Sequence, residues 1–456
     1  MDGLEMDLVA RDVDALVAAL DEERFRHVSG MEGEPALEPL FASHGRAAHK
    51  DTAAALRRGG GEDLARRVAS LRADRAAAAH EERWRAADAG ATGVGPRGPE
   101  PLAALELALP REEDPERRTG LARAAAEAMG TAASAREAWA ETRARAAAEV
   151  GLAPDWRAVV EGDEALAASD DAYRDVLAWS ARRELADLAP GGLARADLLR
   201  VLALPRWDGL FRAGMLEVAL RITWERLDLD PTRIRLDAGD RPAKWPGAHA
   251  VGARVSFRPR GGAGDWQDLA AATARALAAA SAPPSRRDPV LAEALAWLLG
   301  SLLLEPRWLA ERADVEKRHA EDVVRDLALR RLFALLADAA ALRVAAEVER
   351  GLSGAGWRSA HRDALTRAAG ASWEPVRASR DADTLRLTAA VRGAGAGERL
   401  RAEVRERFDE DWWRNPRTAA HLGGLLAAGA LPAPDPPPPA AGAARMLASR
   451  LEGGRG

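Results

Sequence analysis

The sequence predicts a mostly α-helical protein with one small β-sheet, and three observations carry that prediction. Ala, Arg, Leu and Glu dominate the 456 residues and strand-favouring residues are scarce, so most of the chain is built from good helix formers. Apolar residues recur at spacings of three and four, the mark of helices with one buried face. Only two short runs, Thr232 to Leu236 (T-R-I-R-L) and Ala253 to Phe257 (A-R-V-S-F), alternate in the manner of strands.

The elements follow in order. Val9 to about Arg58 is helical, with Leu16, Leu20, Leu37, Leu40 and Phe41 on its apolar side. Gly59-Gly60-Gly61 breaks it, and a long helix follows to about Ala87 with Val68, Leu71 and Trp84 inward. Gly93 to Pro101, rich in Gly and Pro, reads as a surface loop. Pro115 to Val150 reads as a long helix broken near Gly130, and further helices run from Pro154 to about Leu188, Leu193 to Leu204 and Trp207 to Leu227. After the two strand-like runs come helices over Asp265 to Ala280, Pro289 to Leu304, Ala310 to about Gly351 and Ser359 to Ala369. From 432 onward P-A-P-D-P-P-P-P reads as a Pro-rich flexible tail, residues 432–456.

Composition narrows the function. The net charge of −5 is small, with Arg and Glu intermixed, which argues against a nucleic-acid partner. Cysteine is absent, so disulfides, thiolate metal sites and cysteine nucleophiles are excluded. The acidic N-terminus lacks an apolar core segment, and the most apolar run, Leu291 to Leu304, contains Glu293 and is too short for a bilayer. The expectation is a cytoplasmic chain with no membrane partner.

Two stretches point to a family. Leu236 to Leu309 contains L-D-A-G-D-R-P-A-K-W-P-G-A, then R-V-S-F-R-P-R-G-G, then D-W-Q-D-L-A-A-A-T-A-R-A-L and A-E-A-L-A-W-L-L-G. Glu398 to Gly429 holds the second stretch, in which Phe408, Trp412, Trp413, Asn415 and Pro416 form an F-x-x-x-W-W-x-N-P pattern. Together they resemble the thimet oligopeptidase and oligoendopeptidase F family of zinc peptidases. The resemblance implies a two-lobed, clam- or saddle-like, zincin-like helical bundle with a small sheet beside a central cleft. It divides the chain into an N-terminal helical lobe (1–230), a peptidase-like lobe (231–431) and the tail.

The catalytic residues that the resemblance implies are missing. Ala271 and Ala272 stand where the family has His and Glu of H-E-x-x-H, and Arg275 where it has the second His. Glu293, in A-E-A-L-A-W, keeps the position of the third zinc ligand. Thr384, in D-T-L-R, takes the place of an oxyanion-stabilising Tyr, and the chain's single Tyr is Tyr173. A catalytic zinc takes about three protein ligands, and two histidines must stand four apart to share one helix face. None of the eight histidines forms H-x-x-x-H or H-x-H. Zinc, the family's cofactor, is therefore expected to be lost, leaving no catalytic or metal residues. Arg275 is expected either to pair with Glu293 in place of the cation or, like Glu293, to reach solvent separately.

Lys244, Trp245, His249, Arg258 and Arg260 are the candidate cleft residues for a peptide. The resemblance also implies that a sheet edge lines the cleft and holds an extended substrate backbone. F-R-P-R-G-G could hold an anion, though a tight turn is the simpler reading. Trp297, Trp308, Trp412 and Trp413 read as core. The function expected is a catalytically inactive peptidase homologue that binds a peptide or protein partner. The alternatives are an active oligopeptidase with an unconventional zinc site, or a structural partner of an active peptidase.

Overall fold

A computed structural model describes residues 3–185, 192–380, 383–431 and 439–452. Among these the chain forms eighteen α-helices, a two-stranded hairpin and a three-stranded sheet, matching the helical fold class read from the sequence. The largest apolar cluster runs from Ala140 to Leu451 and crosses residue 230 without interruption. A second cluster lies among the first helices and a third between Ala91 and Ala196. No single helix among the described residues is long and apolar enough to cross a membrane, and the run from Leu291 to Leu304 is buried apart from two residues near its start.

Several elements differ from the sequence reading, each for a physical reason. The loop expected at 93–101 is a hairpin, Thr92–Gly95 against Gly98–Pro101, turned at Pro96 and Arg97, with Gly98 just after the turn at φ +103°. Gly93 belongs there because an added Cβ would lie 2.3 Å from the Ala124 carbonyl oxygen. Gly130 does not break Pro115–Glu149: it faces open space, and one exposed glycine costs a long helix only about 1 kcal/mol. The helix expected from Ala310 is two, Pro306–Arg312 and Lys317–Glu349.

The 432–456 tail is also corrected in part. Ala440–Glu452 is a helix whose Ala440, Ala443, Ala444, Leu447 and Leu451 are buried in the main core. The proline run concealed an ordinary amphipathic pattern behind it. The prolines themselves lie outside the described residues, apart from Pro439.

In the three-stranded sheet Arg254–Ser256 is central, parallel to Arg235–Asp237 and antiparallel to His249–Val251. The last strand was not anticipated. It is an edge strand and packs against the helix Ala263–Ser281. That helix begins after Gly261 and Gly262, both at positive φ (80° and 95°), a conformation L side chains rarely adopt. It ends at Ser281, just before Pro283 and Pro284. Pro289–Gly300 is started by Asp288, whose carboxylate accepts from the Val290 N–H at 2.8 Å.

Candidate functional site

A cleft of about 350 Å³ is lined by five helices: Ala263–Ser281, Pro289–Gly300, Lys317–Glu349, Thr384–Phe408 and, through Leu199 and Leu202, Arg195–Ala203. Its position depends on a close helix crossing. An added Cβ on Gly393 would lie 2.2 Å from the Glu293 Cβ, and one on Gly397 would lie 2.5 Å from the Trp297 Cβ. These glycines, one turn apart, let Thr384–Phe408 press onto Pro289–Gly300 and hold Glu293 and Trp297 toward the cleft.

Gln267, Asp268, Ala271 and Arg275 of the first helix line the cleft. Ala272 does not; it is fully buried in the apolar core. Arg275 donates from Nε and Nη2 to the two carboxylate oxygens of Glu293, both at 2.8 Å, a bidentate, charge-assisted pair. Burial works against the Arg275 cation, but Glu293 outweighs it and raises the pKa above the ordinary value. Next to it Arg330 clasps Asp268 with contacts of 2.9 and 2.8 Å. Asp338 pairs with Arg386 at 3.2 Å. Arg331 lies with its guanidinium 4.0 Å from the Trp297 ring centroid, and its Nη2 donates to the Trp297 carbonyl. Burial, only partly offset by Glu398, lowers the Arg331 pKa to about 9.

The other candidate residues are placed differently. Lys244 is fully buried, its Nζ donating to the carbonyls of Asp237 (2.6 Å) and Gly239 (2.9 Å) and to the Asp237 carboxylate (3.2 Å). It ties the loop before the edge strand in place. Trp245 packs on the third apolar cluster. The His249 ring nitrogen Nε2 meets the Pro246 carbonyl oxygen at 2.7 Å. Arg258 is buried, donates to the Arg241 and Pro242 carbonyls and stands 3.5 Å from Asp240; Arg260 also pairs with Asp240, at 3.1 Å. F-R-P-R-G-G is thus a turn, with the Gly262 N–H given to the Phe211 carbonyl at 2.7 Å. None of these five lines the cleft, whereas Ala248, just before the edge strand, does. Thr384 bonds Glu349 and is also outside the cleft lining.

Three features were missed in the sequence. Trp308, Trp412 and Trp413 are fully buried as expected, but Trp297 both packs and lines the cleft. Arg330-Arg331 interrupts an otherwise apolar helix stretch, L-A-L-R-R-L-F, which was the available sign of functional or paired buried charge. G-A-G-A-G from Gly393 to Gly397 was the sign of the close crossing. As to donors, no group of three His, Asp or Glu able to hold a metal ion occurs among the described residues.

No family model and no curated protein sequence matches the chain. Solved structures do. PZ peptidase A, solved with an inhibitor, matches at TM-score 0.52 and 12% identity over 95% of this chain and 86% of its own. The Pyrococcus furiosus carboxypeptidase matches at 0.53 and 10% over 99% of both chains. An oligoendopeptidase F-type protein of Bacillus anthracis matches at 0.50 and 12%, over 99% of this chain and 86% of its own. At these identities the likeness is one of fold, and the chain has the all-helical fold of the oligoendopeptidase and carboxypeptidase structures.

Proposed function

We propose that this protein uses a peptidase fold to bind a peptide or an extended segment of a protein partner without zinc-dependent hydrolysis. The observation that carries the reading is the bidentate Arg275–Glu293 pair on the cleft wall. Ala271 and Arg275 stand one turn apart on the cleft-facing side of their helix, where the resemblance places two zinc-binding histidines. One has no donor atom; the other brings a fixed positive charge that repels a dication. Glu293, the remaining ligand position, is already neutralised by that guanidinium. Asp268, the next carboxylate along the cleft, is held by Arg330. Zinc needs about three free ligands, and the lining leaves none uncommitted.

Peptide binding is supported by what remains. The cleft size falls within the ordinary range for ligand sites, ~300–1,000 Å³. The edge strand His249–Val251 stands beside it, and a sheet edge can take up an extended backbone. The test is zinc content by elemental analysis after dialysis against zinc, with hydrolysis of a mixed oligopeptide library measured in parallel. Near-zero metal, no cleavage and saturable peptide binding are expected. About one zinc per chain, the stoichiometry of a single catalytic ion, together with cleavage, would overturn the reading.

A further inference from the structure

Resting on the peptide-binding reading, we infer that the cleft contains a carboxylate subsite whose anchor is Arg331. The charged groups of the cleft wall pair off with one exception. Arg275 is neutralised by Glu293, Arg330 by Asp268, and Asp338 by Arg386. Among the described residues no carboxylate lies within ion-pairing distance of Arg331. Glu398, whose charge partly offsets the burial of Arg331, is taken by Trp297 Nε1 at 3.2 Å and by Arg401 at 2.8 Å.

Arg331 is more than nine-tenths buried, at 8% exposure, and lines the cleft. Its Nη1 is closed to solvent and has no hydrogen-bond partner. An uncompensated buried charge is costly and is normally paired, so this cation asks for an anion from outside the chain. The side chain is also held in place rather than free to swing to solvent. It stacks on Trp297, one donor is fixed on the Trp297 carbonyl, and Gly300 makes room for it: a Cβ there would stand 3.1 Å from Nη1.

The chemistry of the anion follows from the count. One cation is left over, so one negative charge completes the site. A guanidinium beside Trp297, Ala296 and Phe333 of the cleft lining suits a carboxylate at the end of an aliphatic stem. Two sources share that chemistry, the C-terminus of a peptide and an Asp or Glu side chain within one.

The experiment uses the full chain and calorimetric titration with four peptides. These are acetyl-trialanine as free acid and as amide, and acetyl-Ala-Glu-Ala-amide with its Gln counterpart. At least tenfold tighter binding of an acid than of its neutral partner is expected. The pair that shows it identifies the source. Arg331→Gln should abolish that preference while leaving the weaker binding of the neutral peptides in place. Gly300→Ala, which crowds Nη1, should reduce the preference in the same direction. In the absence of ligand Arg331→Met should melt at higher temperature than the parent, which separates loss of binding from loss of folding. Equal binding of acid and neutral peptides, or a preference that survives Arg331→Gln, overturns the subsite and leaves the peptide groove standing. Absence of binding by all four overturns both.

Discussion

Gly397→Ala should destabilise the protein, and Gly130→Ala should stabilise it, although both put the same methyl group into a long helix. The new Cβ at 397 would sit 2.5 Å from the Trp297 Cβ and 2.6 Å from the Ala294 carbonyl oxygen. Carbon atoms in contact prefer ~3.5–4.0 Å, so the two helices must separate by on the order of 1 Å. Neither obstacle can rotate away, since one is backbone and the other is the first carbon of a packed side chain. Overpacking of this kind costs ~1–3 kcal/mol, and the upper end applies where backbone must move. Helix propensity returns ~1 kcal/mol, leaving a net loss of about 1–2 kcal/mol. At Gly130 nothing lies within 4 Å of the added carbon, so only the propensity gain remains, ~0.5–1 kcal/mol. Urea denaturation of the two variants and the parent, followed by the fluorescence of the 14 tryptophans, reads the difference as midpoints moving in opposite directions. Midpoints that move together, or a neutral Gly397→Ala, would refute the close crossing and with it the account of how Glu293 and Trp297 are held at the cleft.

Other perturbations test the remaining parts. Lys244→Met strands three acceptors around a fully buried amine; a loss of ~2–4 kcal/mol in denaturation midpoint analysis is expected, with peptide affinity unchanged. Arg275→Ala leaves Glu293 unpaired, and because Arg275 is 38% exposed solvent screening keeps the loss to ~1–2 kcal/mol, between surface and buried pairs. Ala271→His with Arg275→His joins Glu293 in a three-ligand set, and elemental analysis should then find zinc that the parent does not retain. Asp265 is raised to about 6 by burial first and by neighbouring Asp268 second. A carboxyl whose folded pKa is raised stabilises below its unfolded pKa, and that contribution is lost as pH rises through about 6. Stability should fall between about pH 4 and 7, by ~3 kcal/mol at most, and Asp265→Asn, which keeps an acceptor for the Arg260 N–H, should remove the slope.

The helices were legible because their burial depends on local spacing: Leu16 and Leu20, or Leu121 and Ala125, show their faces within a single turn. The motif placed Arg275 and Glu293 but left two outcomes open, pairing or separate exposure to solvent, and the structure shows the pair. What could not be read from one sequence is long-range. Lys244 looked like a ligand-facing cation, and only the fold reveals the carbonyls of Asp237 and Gly239 that surround it. The closeness of Gly393 and Gly397 to Glu293 and Trp297 shows only in the folded chain. The hairpin at 92–101 was obscured by Gly and Pro, whose turn-forming role outweighs their poor strand propensity when an edge is short.

By its placement the helix Ala440–Glu452 has a consequence for folding. It packs on Trp156–Ala167, Asp170–Glu184, Lys317–Glu349 and Thr384–Phe408, so residues up to nearly three hundred positions apart must meet to seal one apolar layer. During synthesis the second cluster, whose buried residues all lie between Val9 and Ala78, can consolidate early, whereas the large cluster stays open until Leu451 has emerged. Contacts of such high sequence separation form slowly, and the apolar faces awaiting them are exposed to aggregation meanwhile. Truncation before residue 440, within reach of the proline run, should therefore yield a chain with a core it cannot close.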